Sequence, residues 1–145
     1  MTEGTGSSMR FDDPREVVVA FVDAVNRQDW PAVETLIAPA FARHSDAGGD
    51  VDGSAELIAF LQGEYAVFPD AHEELETVIA EGDLVAARHV FTGTQDGPLG
   101  DHPPTGRPMR ARYLAMYRVV GGRIVEAWAE WDNLTGQAQL GLVEG

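Results

Sequence analysis

The sequence predicts an α+β domain in which helices come first and strands follow. Three observations carry this. Apolar residues recur at helical spacing up to about Val67, and from Leu75 onward the pattern changes to short strand-like runs. The runs are joined by tight turns such as Gly121-Gly122, so neighbouring strands form an antiparallel meander with the helices on one face of a curved sheet, an arrangement that makes a cup.

Asp12-Asp13-Pro14 reads as a helix start, with an acidic cap and proline at the first helical position. Val18, Phe21, Val22 and Val25 then repeat at the helical period until about Asn26 to Asp29. Trp30-Pro31 restarts a short helix through Leu36 and Ile37, which breaks before Pro39. A third helix runs from Ser54 to about Val67, with Leu57, Ile58, Phe60, Leu61 and Tyr65 as one apolar stripe, and Phe68-Pro69-Asp70 stops it. Strand-like runs follow at Leu75 to Ala80, Leu84 to Thr92, Met109 to Val119 and Arg123 to Asp132. They are broken at Glu81-Gly82-Asp83, in a long Gly- and Pro-rich loop from Gly93 to Gly106, and at Gly121-Gly122. That loop is expected over a pocket or at a subunit contact. Residues 1–11 have the composition of a disordered tail, leaving 12–145 as a single domain.

Composition narrows the partners. A net charge of −14 repels phosphate backbones and anionic lipids, so neither nucleic acid nor a membrane surface is expected. No apolar run is long enough for a membrane span and the first ten residues lack a signal-like apolar stretch, so a cytoplasmic location is expected. The absence of cysteine excludes disulfides, thiolate nucleophiles and Cys-ligated metals. His44, His72, His89 and His102 have no metal-ligand spacing, and no metal site is expected. Phosphate-cradling and nucleophile-elbow motifs do not occur.

The segment Trp128-Ala129-Glu130-Trp131-Asp132-Asn133 carries the most chemistry. A carboxyl group among tryptophans at a strand end is a candidate acid or base, because apolar neighbours disfavour the charged form and raise the pKa. Asp132 is therefore the leading catalytic candidate; the competing reading is that it caps the turn or helix that follows. His44, just before the turn-rich Asp46-Ala47-Gly48-Gly49, is a second candidate, reaching from a loop into the mouth of the cup. His89 sits mid-strand among apolar residues. Tyr65, Tyr113, Tyr117, Trp128 and Trp131 are candidate walls for a flat ligand, or else core or interface residues. Arg112 and Arg118, if buried, need an acid such as Glu130 or Asp132. Along 123–132 one parity carries Val125, Ala127, Ala129 and Trp131 and the other Ile124, Glu126, Trp128, Glu130 and Asp132, and the sequence leaves open which faces the hollow.

Taken in order, Phe68-Pro69-Asp70, Ile79-Ala80-Glu81-Gly82-Asp83, Phe91-Thr92-Gly93-Thr94, Pro104-Thr105-Gly106-Arg107, Gly122-Arg123-Ile124-Val125-Glu126, Trp131-Asp132 and Gln137-Ala138-Gln139-Leu140-Gly141 resemble the SnoaL-like polyketide cyclase family, within the nuclear transport factor 2-like superfamily. The resemblance runs from about Pro14 to Leu142. It implies a conical α+β barrel of three N-terminal helices on a strongly curved, mostly antiparallel sheet, and homo-oligomers, dimers or tetramers, formed through the sheet's outer face. It also implies acid-base chemistry without a cofactor on a hydrophobic small molecule. Asp132 falls on the position of the aspartate that shuttles a proton during intramolecular aldol ring closure in characterised members, and His44 matches a histidine found after the second helix. The expected catalytic pair is thus Asp132 and His44, with Tyr65, His89, Tyr113, Tyr117, Arg118, Trp128 and Glu130 about the substrate. The chain departs from the family in lacking a histidine on Met109 to Val119, where Tyr113, Tyr117 or Arg118 is the candidate substitute. The same scaffold also hosts isomerases, dehydratases, epoxide hydrolases and non-catalytic binding proteins.

Overall fold

The structure, a computed structural model, describes residues 13–143; the expected N-terminal tail lies outside the described residues. Helix α1 (Pro14–Asn26) starts where the Asp13 carboxylate accepts the Arg15 backbone N–H and Pro14 takes the first turn, as expected for a residue with no N–H to satisfy. It buries Val17, Val18, Val22 and Val25. Asp29 caps α2 (Trp30–Leu36) by accepting the Ala32 N–H. The chain then enters β1 (Ile37–His44), β2 (Val51–Asp52), α3 (Ser54–Val67), β3 (His72–Glu81), β4 (Leu84–Thr94), β5 (Pro108–Val120), β6 (Arg123–Glu130) and α4 (Asn133–Gln139).

The six strands form one sheet in the order β2-β1-β6-β5-β4-β3. All pairings are antiparallel except β1 with β6. The α+β class and the meander from β3 to β6 are as the sequence predicts. Strand β1 is not: the sequence places His44 in a loop before the turn-rich Asp46-Ala47-Gly48-Gly49, because the strand's partner, β6, lies more than eighty residues away in sequence and its pattern is interrupted at Pro39. The sheet curls but does not close, so the expected barrel is an open cup with β2 and β3 at its edges. Register shifts between Ile37 and Ala42, Leu75 and Thr77, and Arg118 and Val119 account for the curl, since an extra residue bends and twists the strand that carries it.

The last shift decides which parity looks inward. Ala127 and Ala129 face the concave side with Ile124, while Glu126, Trp128 and Glu130 face outward. On β5 the inward set is Met109, Ala111, Tyr113, Ala115 and Tyr117. Helices α1 and α3 cover the concave side over a core that includes Val17, Val18, Val33, Ile37, Val85 and Ile124. A smaller cluster, Phe68, Phe91 and Leu140, seats α4 at the open end. None of the helices among the described residues is long and apolar enough to cross a membrane.

One polar clamp joins the helical layer to the sheet edge. Asn26, the last residue of α1, donates from Nδ2 to the Glu73 carbonyl and accepts the Glu73 N–H on Oδ1, both at 2.8 Å. Asn26→Ala leaves both backbone groups part-buried and without that partner. We expect it to cost about 1–2 kcal/mol, seen as a drop of several degrees in Tm by thermal circular dichroism; an unchanged Tm would show that the clamp contributes nothing.

Candidate active site

The concave face of the sheet encloses a cavity of about 680 Å³. It exists because the inward positions near the middle of β5 and β6 are small. Ala111, Ala115, Ala127 and Ala129 form the floor, and a leucine at any of them would fill the space that the helices arch over. Phe21 and Val25 of α1, Phe41 of β1, and Leu57 and Phe60 of α3 supply apolar walls. The loop between β4 and β5 lies over the pocket, as one of its two expected placements, and contributes Leu99 and His102. Buried Gln95 ties that loop down, donating to the Gly97 and Pro103 carbonyls and accepting the Thr105 hydroxyl at 2.7 Å.

Few polar groups enter this apolar space, and most are titratable. On β3, Glu73 Oε1 accepts the Tyr113 hydroxyl at 2.9 Å and lies 3.2 Å from His89 Nδ1. His89 is 1% exposed, stacks on Tyr113 with ring centroids 4.5 Å apart, and meets the Tyr117 hydroxyl at 2.8 Å through Nε2. A carboxylate can only accept, so Nδ1 carries the imidazole proton and Nε2 accepts from Tyr117. Burial pushes both phenols above their ordinary range, with the Glu73 charge adding to the effect, so they stay neutral donors. Glu73, His89, Tyr113 and Tyr117 therefore form one satisfied network spanning three strands.

Two charged side chains facing the same hollow are not satisfied in this way. Glu64, on the inner stripe of α3, makes no side-chain hydrogen bond among the described residues, and its carboxyl is pushed up to about 7 by burial, with the Glu73 charge adding and Arg43 opposing. Arg43 of β1 is 7% exposed. Its guanidinium lies 4.3 Å from the Phe60 ring centroid and 5.5 Å from that of Trp131, donates from Nη2 to the Gly49 carbonyl at 3.0 Å, and has no partner at Nε. Trp131 is held by its own Nε1 donating to Asn133 Oδ1 at 2.7 Å, and Asn133 in turn donates to the Ala47 carbonyl. Gly48 makes this corner possible, because a Cβ there would run into the Trp131 ring.

Asp132 stands at the cavity wall beside Trp131, at the start of α4. It is exposed, and it caps α4: Oδ2 accepts the Thr135 hydroxyl at 2.6 Å and Oδ1 the Thr135 N–H at 3.1 Å. Those bonds hold its carboxyl below the usual carboxylate range, which corrects the expectation of a raised pKa. The property expected of Asp132, a carboxyl poised near neutrality by apolar surroundings, belongs to Glu64. His44 lies outside the cup. Its neighbours Phe41 and Arg43 point inward, so strand alternation turns it outward, where Nε2 meets Glu126 Oε2 at 2.7 Å and the ring lies against Trp128. Glu130, Trp128 and Arg118 share that outer face, so the geometry does not place them on a ligand in the cavity. Arg118 pairs with Asp83 at 2.9 Å, and Arg112, also outward, with Glu76 at 3.0 Å; neither is a buried cation in need of Glu130 or Asp132. Tyr65 turns towards the helices, donating to the Val25 carbonyl and packing on Trp30. His89, Tyr113 and Tyr117 are brought together at the site. Among the described residues no three His, Asp or Glu side chains converge as metal ligands.

A sequence model described as SnoaL-like polyketide cyclase matches residues 15–140. The chain belongs to that family. Among solved structures it is similar to IdmH from Streptomyces antibioticus, a proposed polyketide cyclase, at 35% identity over 89% of this chain and 99% of that one, with a TM-score of 0.81. It is also similar to AclR from Streptomyces galilaeus, a proposed hydroxylase, at 26% identity over 91% of this chain and 83% of that one, TM-score 0.80. A protein with a ketosteroid isomerase-like fold from Catenulispora acidiphila shares the fold at 21% identity over 88% of this chain and 94% of that one, TM-score 0.76. No curated protein sequence matches the chain significantly.

The raised Glu64 carboxyl has a consequence for stability. Unfolded, the group titrates near 4.5; folded, near 7. Between those values the folded state holds the proton that the unfolded state has lost, so stability falls as pH rises through this window and levels off above it. Glu64→Gln removes the slope. The variant is expected to gain several degrees of Tm over wild type at pH 8 and little or nothing at pH 4, measured by differential scanning calorimetry; an equal effect at both would show that Glu64 titrates normally.

Proposed function

We propose that the protein is a cofactor-independent acid-base enzyme that closes a ring within a polyketide-like small molecule by an intramolecular aldol reaction. The observation that carries this reading is the pair of carboxyl groups on one apolar cavity whose surroundings push them in opposite directions. Asp132 is held ionised by Thr135, and Glu64 is held near neutrality by burial. Two acids with separated pKa values on one cavity divide naturally into a base and an acid.

In this reading Asp132 removes a proton from the carbon alpha to a carbonyl. A carboxylate with a lowered pKa is a weak base, so it suits a carbon already acidified by two flanking carbonyl groups, as in a poly-β-keto chain. The resulting enolate carbon attacks a further, remote carbonyl of the same molecule, forming the carbon–carbon bond as that carbonyl's π pair moves to its oxygen, and neutral Glu64 gives its proton to the new alkoxide. The protons then return between Glu64 and Asp132 through water at the open mouth. The Glu73–His89–Tyr117 network holds Tyr113 and Tyr117 as a rigid, neutral wall. The alanine floor and aromatic walls fold the substrate so that its two reacting carbons meet. Membership of the family and the likeness to IdmH support this choice over an isomerase or a dehydratase on the same cup.

We also infer that the chain assembles as a homo-oligomer through the convex face of the sheet. Leu114 and Met116 are 64% and 42% exposed there, next to half-buried Trp128, an apolar strip that a monomer would leave in water. Light scattering coupled to size-exclusion chromatography should give a mass of two or four chains, and the monomer mass at micromolar concentration would remove the inference.

Asp132→Asn isolates the charge, because asparagine caps a helix as well as aspartate. With a β-diketone that carries a third, remote carbonyl group as the electrophile, and whose cyclised product has the same mass or one water less, followed by chromatography and mass spectrometry, the variant should turn over about 100-fold more slowly or worse while its Tm stays near wild type. Wild-type turnover in Asp132→Asn would overturn the mechanism.

A further inference from the structure

Arg43 stands out once the cavity chemistry is assigned. Moving a guanidinium out of water without a counter-charge is strongly unfavourable, and buried arginines are therefore found paired. Arg43, 7% exposed, lines the cavity, has no hydrogen bond at Nε, and forms no ion pair among the described residues. Burial lowers its pKa, with Glu64 the strongest charge opposing that shift. Glu64 is a poor partner, since near neutral pH it is only partly ionised. The aromatic faces of Phe60 and Trp131 stabilise the cation but supply no acceptor. The corner is nevertheless built to hold it: Asn133 fixes Trp131, the Gly49 carbonyl fixes Nη2, and Gly48 leaves room for both.

We propose that Arg43 is the subsite for an anionic oxygen of the ligand, a carboxylate or an ionised enol, carried on an otherwise apolar ring system. The inference rests on the cavity being the substrate site and adds to it the substrate's charge. It also explains why an acidic protein would keep a buried cation in its cavity: long-range repulsion of anions is screened within about 10 Å at ordinary ionic strength, whereas a guanidinium against a ligand oxygen acts at contact. Arg43 would then hold the enolate oxygen in place while Asp132, on the same wall as Trp131, works on the neighbouring carbon.

The test is a binding measurement and needs no substrate. Isothermal titration calorimetry would compare naphthoate with its neutral methyl ester, and enolised phenylindanedione with its C-methylated derivative, which cannot ionise. Wild type should bind at least one anion about 10-fold or more tightly than its neutral counterpart, the range expected for a charge-assisted hydrogen bond in a desolvated site. A preference for naphthoate alone identifies a carboxylate, and one for the dione alone an enolate. Arg43→Met, close to the arginine stem in volume, should bring acid and neutral ligand to within about 3-fold of each other, and Arg43→Lys should keep part of the preference because it retains the charge without the planar fork. Equal binding of anion and neutral form by wild type, or a preference that survives in folded Arg43→Met, overturns the subsite. In either case binding of the neutral ligands still reports on the cavity, and Asp132→Asn turnover still reports on the proposed reaction, so the failures are separable.

Discussion

Everything about the site depends on four methyl groups. With alanine at 111, 115, 127 and 129, the concave face of the sheet is too shallow to meet the helices above it, and the domain keeps a hollow where most domains of this size keep core. That hollow sets the electrostatics. Within it Glu64 is partly buried with no hydrogen-bond partner among the described residues and Arg43 is buried with no counter-charge, so one gives up part of its charge and the other carries an unmatched one. The same two side chains on the convex face would be ordinary solvated residues, as Arg118 and Glu126 are.

Opposing the hollow is a polar frame that is fully satisfied. Glu73 sits at its centre, tied through its backbone to Asn26 and through its carboxylate to Tyr113 and His89. Because Tyr117 completes the chain at His89 Nε2, none of these groups has an idle donor, and the frame is rigid without being reactive by itself. Proton chemistry is thereby left to the carboxyls outside the network, Asp132 and Glu64, whose environments differ enough to give them different protonation states at the same pH.

Much of the fold was legible in the chain. The helix starts at Asp13-Pro14 and Trp30-Pro31, the end of α3 before Phe68-Pro69-Asp70, and the meander from β3 to β6 follow from local periodicity and turn chemistry, which act over a few residues. Strand β1 was not legible, because it is made by pairing with β6 at the far end of the chain. That one omission misplaced His44: read as part of a loop it could point anywhere, whereas on a strand its orientation is fixed by that of Arg43. It also hid Arg43, the inward neighbour. Glu64 was readable in principle, since it continues the Leu57, Phe60, Leu61 stripe of α3, and a carboxylate on the apolar face of a helix is the signal for a perturbed acid. For Asp132 the sequence offers two readings, a perturbed acid at a hollow and a cap on the helix that follows, and periodicity does not choose between them. In the structure it both caps the helix and lines the hollow, and the cap determines its charge.

The parallel pairing of β1 with β6 also bears on how the protein is made. During synthesis α1, α2 and β1 leave the ribosome long before the strand that β1 needs, and although β3 and β4 can meet α1 earlier, the sheet under Phe21 is complete only once β5 and β6 have emerged. The N-terminal helices are therefore made well before the sheet that covers them is whole, and shielding of their apolar faces, by a chaperone or by the growing meander itself, becomes part of the yield of folded protein.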